Sequence, residues 1–175
     1  SHVGRMSGML PGLFENGGVY NHCNAFKIMA DCRLGRAEQA LSTLHKMIPD
    51  SKDNPVSITG AEPYLFVNCW CMHPSFFTRI WFGWFTGTSA WALRGFYEGI
   101  CGLRREYGGL RVQPCIPGAW KELTLTRTFR GCRYHIHISN TGSGKPEVTV
   151  DGNRLADTLL PVLNDGQIHE VVVRT

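Results

Sequence analysis

A change of period near residue 107 constrains the fold of this 175-residue chain more than any other feature. Before it, apolar residues recur every three or four positions, as on one face of a helix. After it, they alternate with polar residues, as in Leu123–Phe129 and Tyr134–Ile138. These periods belong to helices and strands respectively. The chain is therefore predicted to be α+β, with helices in residues 1–106 and a β-rich segment in residues 107–175.

Four apolar stretches have helical character: Asn21 to Gly35, Arg36–Met47, Tyr64–Met72 and Ala90 to about Leu103. Glu62-Pro63 is typical of a first helical turn and predicts the start of the third. Arg104-Arg105 would finish the fourth near its negative end. Helices this apolar usually pack between others, so the sequence is typical of the C-terminal part of a larger protein.

The segment after residue 107 has the signals of antiparallel hairpins. Short strands are predicted at Leu110–Val112, Leu123–Phe129, Tyr134–Ile138, Glu147–Val150 and His169–Val173. Gly131 lies where the turn between the second and third would be, and Asp151-Gly152 is a strong hairpin signal after the fourth.

Composition excludes several classes of protein. The chain is 43% hydrophobic and 18% charged, which is enough apolar material for a packed core. Its positive charges are scattered, so a nucleic-acid partner has little support. No apolar run reaches the roughly 20 residues of a membrane span, and no signal-peptide pattern is visible. With seven cysteines, an odd number, the chain is expected to be cytoplasmic with free thiols.

Two groups of potential metal ligands have simpler explanations. Cys69-x-Cys71-x-His73 lacks the spacing of a zinc knuckle, and core packing is favoured over a metal site. His135 and His137 would share one face of a strand, where two histidines can bind metal. A solvent-facing pair on a sheet is the favoured interpretation. We therefore predict no metal.

The stretch Trp81–Trp91 combines an aromatic run with a small polar turn that starts a helix. Thr86, Thr88 and Ser89 are residue types found at helix starts. The unpaired N–H groups and the positive dipole end of a helix form an anion site that suits phosphate. Aromatic side chains are surfaces on which sugar rings often lie. The pattern therefore favours chemistry on a sugar with phosphate.

Each candidate side chain also admits a structural role. His22 could hold phosphate or sugar, or be a capping or core histidine, and local sequence favours the latter. Glu15 could bind sugar hydroxyls or be solvated, and Glu62 could bind sugar or cap its helix. Thr86 and Gly87 could bind phosphate or form an ordinary N-cap turn. The sequence contains no Ser-His-Asp grouping, P-loop or dinucleotide-binding motif.

Five motifs in order carry a family resemblance over about residues 5–140: Glu15-Asn-Gly-Gly-x-Tyr-x-His22, Ala-Asp-x-x-Leu-Gly35, Glu62-Pro-Tyr64, Trp84-Phe-Thr-Gly-Thr-Ser-Ala-Trp91 and Leu110-Arg-Val-x-Pro-Cys-Ile-Pro117. Together they resemble the C-terminal part of the cellobiose and chitobiose phosphorylases, glycoside hydrolase family 94. The fourth and fifth motifs are specific when they occur together.

The resemblance implies a fold and a reaction. Residues 1–106 would form the last helices of an (α/α)6 catalytic barrel, and residues 107–175 a small antiparallel β-rich segment. The family cleaves β-linked disaccharides with inorganic phosphate and inverts the anomeric centre, giving an α-sugar 1-phosphate. His22, Thr86 and Gly87 match its phosphate-binding residues, and Glu15, Tyr20 and Glu62 fall in its sugar-binding motifs. Phosphate is a co-substrate, and no cofactor is implied.

The chain departs from the family in one respect. The family's general acid is an aspartate in a Trp-Asn-Asp-type context, and these 175 residues contain no such motif. The chain is therefore expected to be part of a longer enzyme, to need the remaining N-terminal part as partner, and to be inactive alone. Family members are often homodimers. A carbohydrate-binding module and a related (α/α)6 glycoside hydrolase are the alternatives, and neither a nucleic-acid nor a membrane partner is expected.

Overall fold

A computed structural model of the chain describes residues 3–49 and 51–175. The chain forms two compact units. The first contains the residues up to Asp31 together with Gln39–Phe96, and the second contains Cys32–Glu38 and Tyr97–Thr175. Both helices and strands are present, so the α+β class is confirmed. The division at residues 106 and 107 into barrel and tail stays a prediction.

The α-helices of the described residues are α1 (Asn21–Arg33), α2 (Ala37–Met47), α3 (Val56–Thr59) and α4 (Thr88–Arg94), and short 3-10 helices lie at Gly4–Gly8 and Pro74–Phe76. The predictions for α1 and α2 are confirmed. Gly35 follows α1 with φ of 70°, the left-handed conformation that ends many helices. Ala40, Leu44 and Met47 form the buried stripe of α2 at the predicted spacing.

The stretch Tyr64–Met72 is not a helix, and that prediction is wrong. Its residues lead into β2 (Cys69–Trp70), the central strand between β1 (Val19–Tyr20) and β3 (Ile80–Trp81). Both pairings are antiparallel. A run that is buried on both faces has no polar alternation, so its sequence does not separate a central strand from a buried helix. Around Trp70 lies a small apolar cluster that contains Ala61, Val67, Val19 and Ile80.

The helix predicted to reach Leu103 ends earlier. A π-helical segment, Gly95–Ile100, continues α4, and Gly102 then takes a φ of 71°. The chain enters β4 (Leu103–Arg105), so Arg104 and Arg105 lie in a strand and do not finish a helix. β4 pairs with β5 (Leu110–Val112), which also pairs with β10 (Leu159–Leu160), and both pairings are antiparallel.

The largest sheet has five strands in the order β6 (Glu122–Phe129), β7 (Cys132–Ser139), β11 (Ile168–Arg174), β8 (Glu147–Val150), β9 (Asn153–Arg154). The predicted strands and both hairpin turns are confirmed. The prediction that the segment is antiparallel is wrong, because β11 pairs with β7 in parallel. The sheet is therefore mixed, with the last strand inserted between β7 and β8.

Alternation along β7 sorts its side chains as predicted. Tyr134, Ile136 and Ile138 are fully buried, whereas His135 and His137 lie on the opposite face. His135 contacts Glu170 of β11 at 3.2 Å, and His137 contacts the Thr124 hydroxyl at 3.1 Å. The shared face of the two histidines is therefore a polar outer surface of the sheet.

Candidate functional site

His22 and Gly87 meet beyond the ends of the three-stranded sheet. β1 ends at Tyr20 and α1 begins at the next residue, so His22 lies in the first turn of α1. The imidazole Nε2 of His22 is 3.0 Å from the position that a Cβ on Gly87 would occupy. The structure thus brings together two predicted phosphate-binding residues that are far apart in sequence.

Gly87 is the N-cap residue of α4 and is exposed. Its φ and ψ of −82° and 0° are open to any residue, and it makes no side-chain cap. The first N–H groups of a helix have no partner within the helix and suit an anion. In α4 the Thr88 N–H is taken by the Thr86 hydroxyl, so the N–H groups in question are those of Ser89 and Ala90. His22 stands beside this helix start.

The Thr86 hydroxyl is held inside the protein. It donates to Asn68 Oδ1 at 3.1 Å, lies 2.8 Å from the Thr88 hydroxyl, and accepts from the Thr88 N–H at 3.1 Å. A hydroxyl has one proton and two acceptor sites, and these contacts use them. Thr88 is fully buried beneath this turn.

Asn68 is a residue that sequence reasoning missed. It is only 9% exposed. Its carbonyl accepts from the N–H of Asn21, the residue before His22, and its Oδ1 accepts from the hydroxyl of Thr86, the residue before Gly87. The available signal was a single amide side chain within the apolar stretch Tyr64–Met72. A polar residue in such a stretch is informative because it needs partners once buried.

Tyr20 lies beside His22, with ring centroids 6.4 Å apart and planes inclined by 29°. Its hydroxyl accepts from Asn68 Nδ2 at 3.4 Å. Three of the predicted site residues, Tyr20, His22 and Thr86, are thus joined through Asn68 and the start of α1.

Glu15 lies on the loop before β1 and pairs with Arg5 at 2.9 Å. Hydrogen bonding to its own backbone N–H and to Arg5 lowers the pKa of the Glu15 carboxyl below its usual value. The preceding residue, Phe14, packs against Trp81 and Phe82, with ring centroids 5.2 and 5.5 Å apart. The Glu15 loop is therefore attached to the same aromatic run that leads to Thr86.

Glu62 does not cap a helix, because no helix follows it. Its backbone oxygen accepts from the Leu65 N–H at 3.3 Å in a turn. One carboxylate oxygen lies 3.9 Å from the position of a Cβ on Gly83. Glu62 is exposed and faces the middle of the aromatic run.

The thiols near the sheet are buried. Burial raises the pKa of Cys69 to about 11 and raises that of Cys71 as well. His73 Nδ1 accepts from the Ser75 N–H at 3.2 Å. In the part of the chain that the structure describes, no three His, Cys, Asp or Glu side chains are grouped to hold a metal ion.

Large aromatic side chains in the Tyr64 turn and in the run before Thr86 are open to solvent. Tyr64 is 98% exposed, Trp84 74% and Phe85 87%. Trp91 packs edge-on against Phe26 at 4.7 Å, which joins α4 to α1. Trp84 and Phe85 are adjacent in the chain, and neighbouring apolar side chains this exposed are typical of a surface that a ligand or another part of a protein covers.

The chain matches two family models. Residues 1–102 match the glycosyl hydrolase 94 superfamily catalytic domain, and residues 103–155 match the glycosyl hydrolase family 65 C-terminal domain. Over residues 3–49 and 51–175, none of the helices has the length and apolar character to cross a bilayer.

Several relatives of the chain are named as phosphorylases. The chain is 38% identical to solabiose phosphorylase of Paenibacillus borealis, over 98% of the chain and 23% of the relative. It is 33% identical to cellobionic acid phosphorylase of Neurospora crassa, over 98% and 22%. It is 31% identical to N,N'-diacetylchitobiose phosphorylase of Vibrio furnissii, over 86% and 19%. The chain thus spans less than a quarter of these relatives, and it belongs to the glycosyl hydrolase 94 superfamily.

Proposed function

We propose that this chain is the phosphate-binding part of an inverting disaccharide phosphorylase. The observation that carries the proposal is that the His22 imidazole lies beside Gly87 at the start of α4, 3.0 Å from the position of a Cβ there. An imidazole and the N–H groups of Ser89 and Ala90 at the positive end of the helix dipole are complementary to phosphate in hydrogen bonding and in polarity. The names of the relatives support a phosphorolytic reaction.

Phosphate would be held between His22 and the first turn of α4. The Gly87 backbone approaches closely because no side chain covers it. The Thr86 hydroxyl is engaged by Asn68 and Thr88, so its part is to shape the turn. The site would orient phosphate beneath the anomeric carbon and offset its charge.

The proposed reaction is a single displacement. A phosphate oxygen attacks the anomeric carbon from the face opposite the leaving sugar. The new carbon–oxygen bond forms as the glycosidic bond breaks, and the leaving oxygen takes a proton from a carboxylic acid. An inverting hydrolase needs a second carboxylate to activate water, but phosphate is already an anionic nucleophile. The products are an α-sugar 1-phosphate and a free sugar.

The sugar would lie against the exposed aromatic side chains Trp84 and Phe85. We assign Tyr20, Glu15 and Glu62 to substrate binding: the Glu15 loop is attached to the aromatic run through Phe14, and the Glu62 carboxylate lies near Gly83. Glu15 would exchange its Arg5 partner for sugar hydroxyls. No metal or cofactor takes part.

The general acid would come from the remaining N-terminal part of the enzyme, which with residues 1–106 would complete an (α/α)6 barrel. The chain by itself would therefore be inactive. We place the enzyme in the cytoplasm, where its thiols stay reduced.

The test uses the full-length gene product and a panel of β-linked disaccharides, each with and without inorganic phosphate. We expect an α-sugar 1-phosphate, detected by phosphorus NMR, only when phosphate is present. Release of free sugar without phosphate would indicate the related hydrolase. Sugar binding without turnover under either condition would indicate a carbohydrate-binding module, which the exposed Trp84 and Phe85 favour as the second candidate.

A further inference from the structure

We propose that Asn68 is a positioning residue that sets the shape of the turn Thr86–Gly87–Thr88, beside which phosphate would bind, by holding the Thr86 hydroxyl. The consequence of this role of Asn68 for catalysis rests on the proposed function. The effect of Asn68 on the shape of the turn does not rest on it and can be measured separately.

The backbone places Asn68 between the two segments of the site. Asn68 directly precedes the central strand β2, so it continues both antiparallel ladders by one residue. Its carbonyl accepts from the Asn21 N–H at 2.9 Å, and its N–H donates to the Phe82 carbonyl at 3.0 Å. One residue therefore fixes the start of α1, which carries His22, and the start of the turn that ends in Gly87.

The side chain of Asn68 repeats this bridge. Its Oδ1 accepts from the Thr86 hydroxyl at 3.1 Å, and its Nδ2 donates to the Tyr20 hydroxyl at 3.4 Å. An amide supplies one acceptor and one donor to opposite sides, which neither a carboxylate nor an apolar side chain of this size does. Because Asn68 is buried, losing either partner would leave a polar group unpaired.

The network leads from Asn68 to the helix start. With its proton committed to Asn68, the Thr86 hydroxyl presents its acceptor sites to Thr88, whose N–H it binds at 3.1 Å. The turn Thr86–Gly87–Thr88 is thereby locked, and the Gly87 backbone is held against His22. Asn68 thus acts on phosphate through the turn, without touching it.

The kinetic test compares Asn68→Leu and Thr86→Val with the wild-type full-length protein. Each should raise KM for phosphate about tenfold, as expected for losing one or two buried hydrogen bonds, and change KM for the disaccharide less than about twofold. The double variant should have a KM for phosphate about equal to that of the more impaired single variant, because both substitutions break one network. Thr86→Ser keeps the hydroxyl and should raise KM for phosphate less than Thr86→Val does.

Asn24→Ala is the matched control. It removes the hydrogen bond that Asn24 Nδ2 donates to Asn21 Oδ1 at 3.0 Å, which lies in the same unit but outside the side-chain network of Thr86. It should leave KM for phosphate unchanged. An unchanged KM for phosphate in Thr86→Val, or an equal rise for phosphate and disaccharide, would overturn the proposal. Thr86 is only half-buried, so its variant tests the idea even where Asn68→Leu fails to fold.

Hydrogen exchange at the Thr88 amide separates the proposal from the proposed function. That amide should exchange faster in Asn68→Leu and Thr86→Val and at the wild-type rate in Asn24→Ala. Unchanged exchange in the first two overturns the positioning role. A wild-type enzyme that needs no phosphate overturns the proposed function, and faster exchange in the two variants would then still uphold the structural part.

Discussion

The imidazole of His22 occupies the space that a side chain on residue 87 would need, with Nε2 only 3.0 Å from the Cβ position. The backbone of Gly87 is in an ordinary right-handed conformation, so nothing in its dihedral angles requires glycine. The preference for glycine comes from the nearness of the histidine ring. The pair therefore links a residue of the first helix to the start of α4 by steric fit.

Gly87→Ala should displace the His22 ring by a few tenths of an ångström. We expect KM for phosphate to rise about tenfold, because small errors in placing a binding group are costly. The free energy of unfolding should fall by only about 1 kcal/mol, since glycine is a better N-cap residue than alanine. Steady-state kinetics with varied phosphate measures the effect. Gly8→Ala, where a Cβ meets nothing within 4 Å, is the control.

A second prediction concerns pH and the second unit. His169 is buried in β11 and lies between two carboxylates, with Nδ1 2.8 Å from Asp151 and Nε2 3.1 Å from Asp165. Hydrogen bonding to Asp151 and then to Asp165 raises the pKa of His169, although burial opposes this. Hydrogen bonds from His169 and from the Glu170 N–H lower the pKa of Asp151. Hydrogen bonds from the Gln167 N–H and from His169 lower the pKa of Asp165. The ring centroid of Tyr134 lies 6.1 Å from that of His169.

The signs of these shifts set a window of stability. The raised pKa of His169 stabilises the fold fully below about pH 6.5, and this is lost as pH rises through the folded-state pKa. The lowered pKa values of the carboxyls stabilise it above about pH 4, and this is lost as pH falls through their folded-state values. Stability to urea should therefore be highest between these limits.

His169→Gln should remove the fall in stability on the alkaline side of that window, as measured by urea unfolding at several pH values. His135→Gln is the control, because His135 lies on the exposed face and pairs with an exposed Glu170. An exposed pair of this kind contributes little. Equal pH profiles for wild type and His169→Gln would contradict this role of His169.

A third prediction separates backbone strain from crowding. Gly131 and Gly152 both have a φ of 80°, in the β6–β7 and β8–β9 turns. A Cβ at Gly131 would lie 2.0 Å from Asn164 Oδ1, whereas one at Gly152 meets nothing within 4 Å. Gly152→Ala should cost about 1 kcal/mol for the left-handed conformation alone. Gly131→Ala should cost about 2–4 kcal/mol, because overpacking adds to the strain.

Urea unfolding of both variants at one pH gives the comparison. The free energy of unfolding should be lower for Gly131→Ala by at least about 1 kcal/mol. Equal losses would show that the exposed Asn164 side chain, or the loop that carries it, moves away freely. That loop is also bonded to the turn through the Gly166 N–H and the Gly131 carbonyl, 2.8 Å apart, which resists such movement.

The elements that could be predicted are those whose signal is local. Alternation in Leu123–Phe129 and Tyr134–Ile138 indicated β6 and β7, and Asp151-Gly152 indicated the β8–β9 hairpin. Ala40, Leu44 and Met47 indicated the buried stripe of α2. Each depends on neighbours within a few residues.

The features that could not be predicted depend on distant partners. The parallel pairing of β11 with β7 joins strands that are not consecutive, and no local pattern encodes it. The strand β2 lacks alternation because neighbours cover both its faces. Asn68 has meaning only through Thr86 and Tyr20, which reach it from two other segments. The proximity of His22 to Gly87 was implied by the family resemblance and not by either local sequence.

The phosphate dependence of a His22 variant tests the central claim most directly. In the full-length protein, His22→Ala should raise KM for phosphate by at least about tenfold while KM for the disaccharide changes much less, because a charged hydrogen bond to phosphate is lost. The exposed His45 on α2 provides the control variant His45→Ala. Equal rises in KM for phosphate and for disaccharide, or none in either, would contradict the assignment of His22 and Gly87 as the phosphate site.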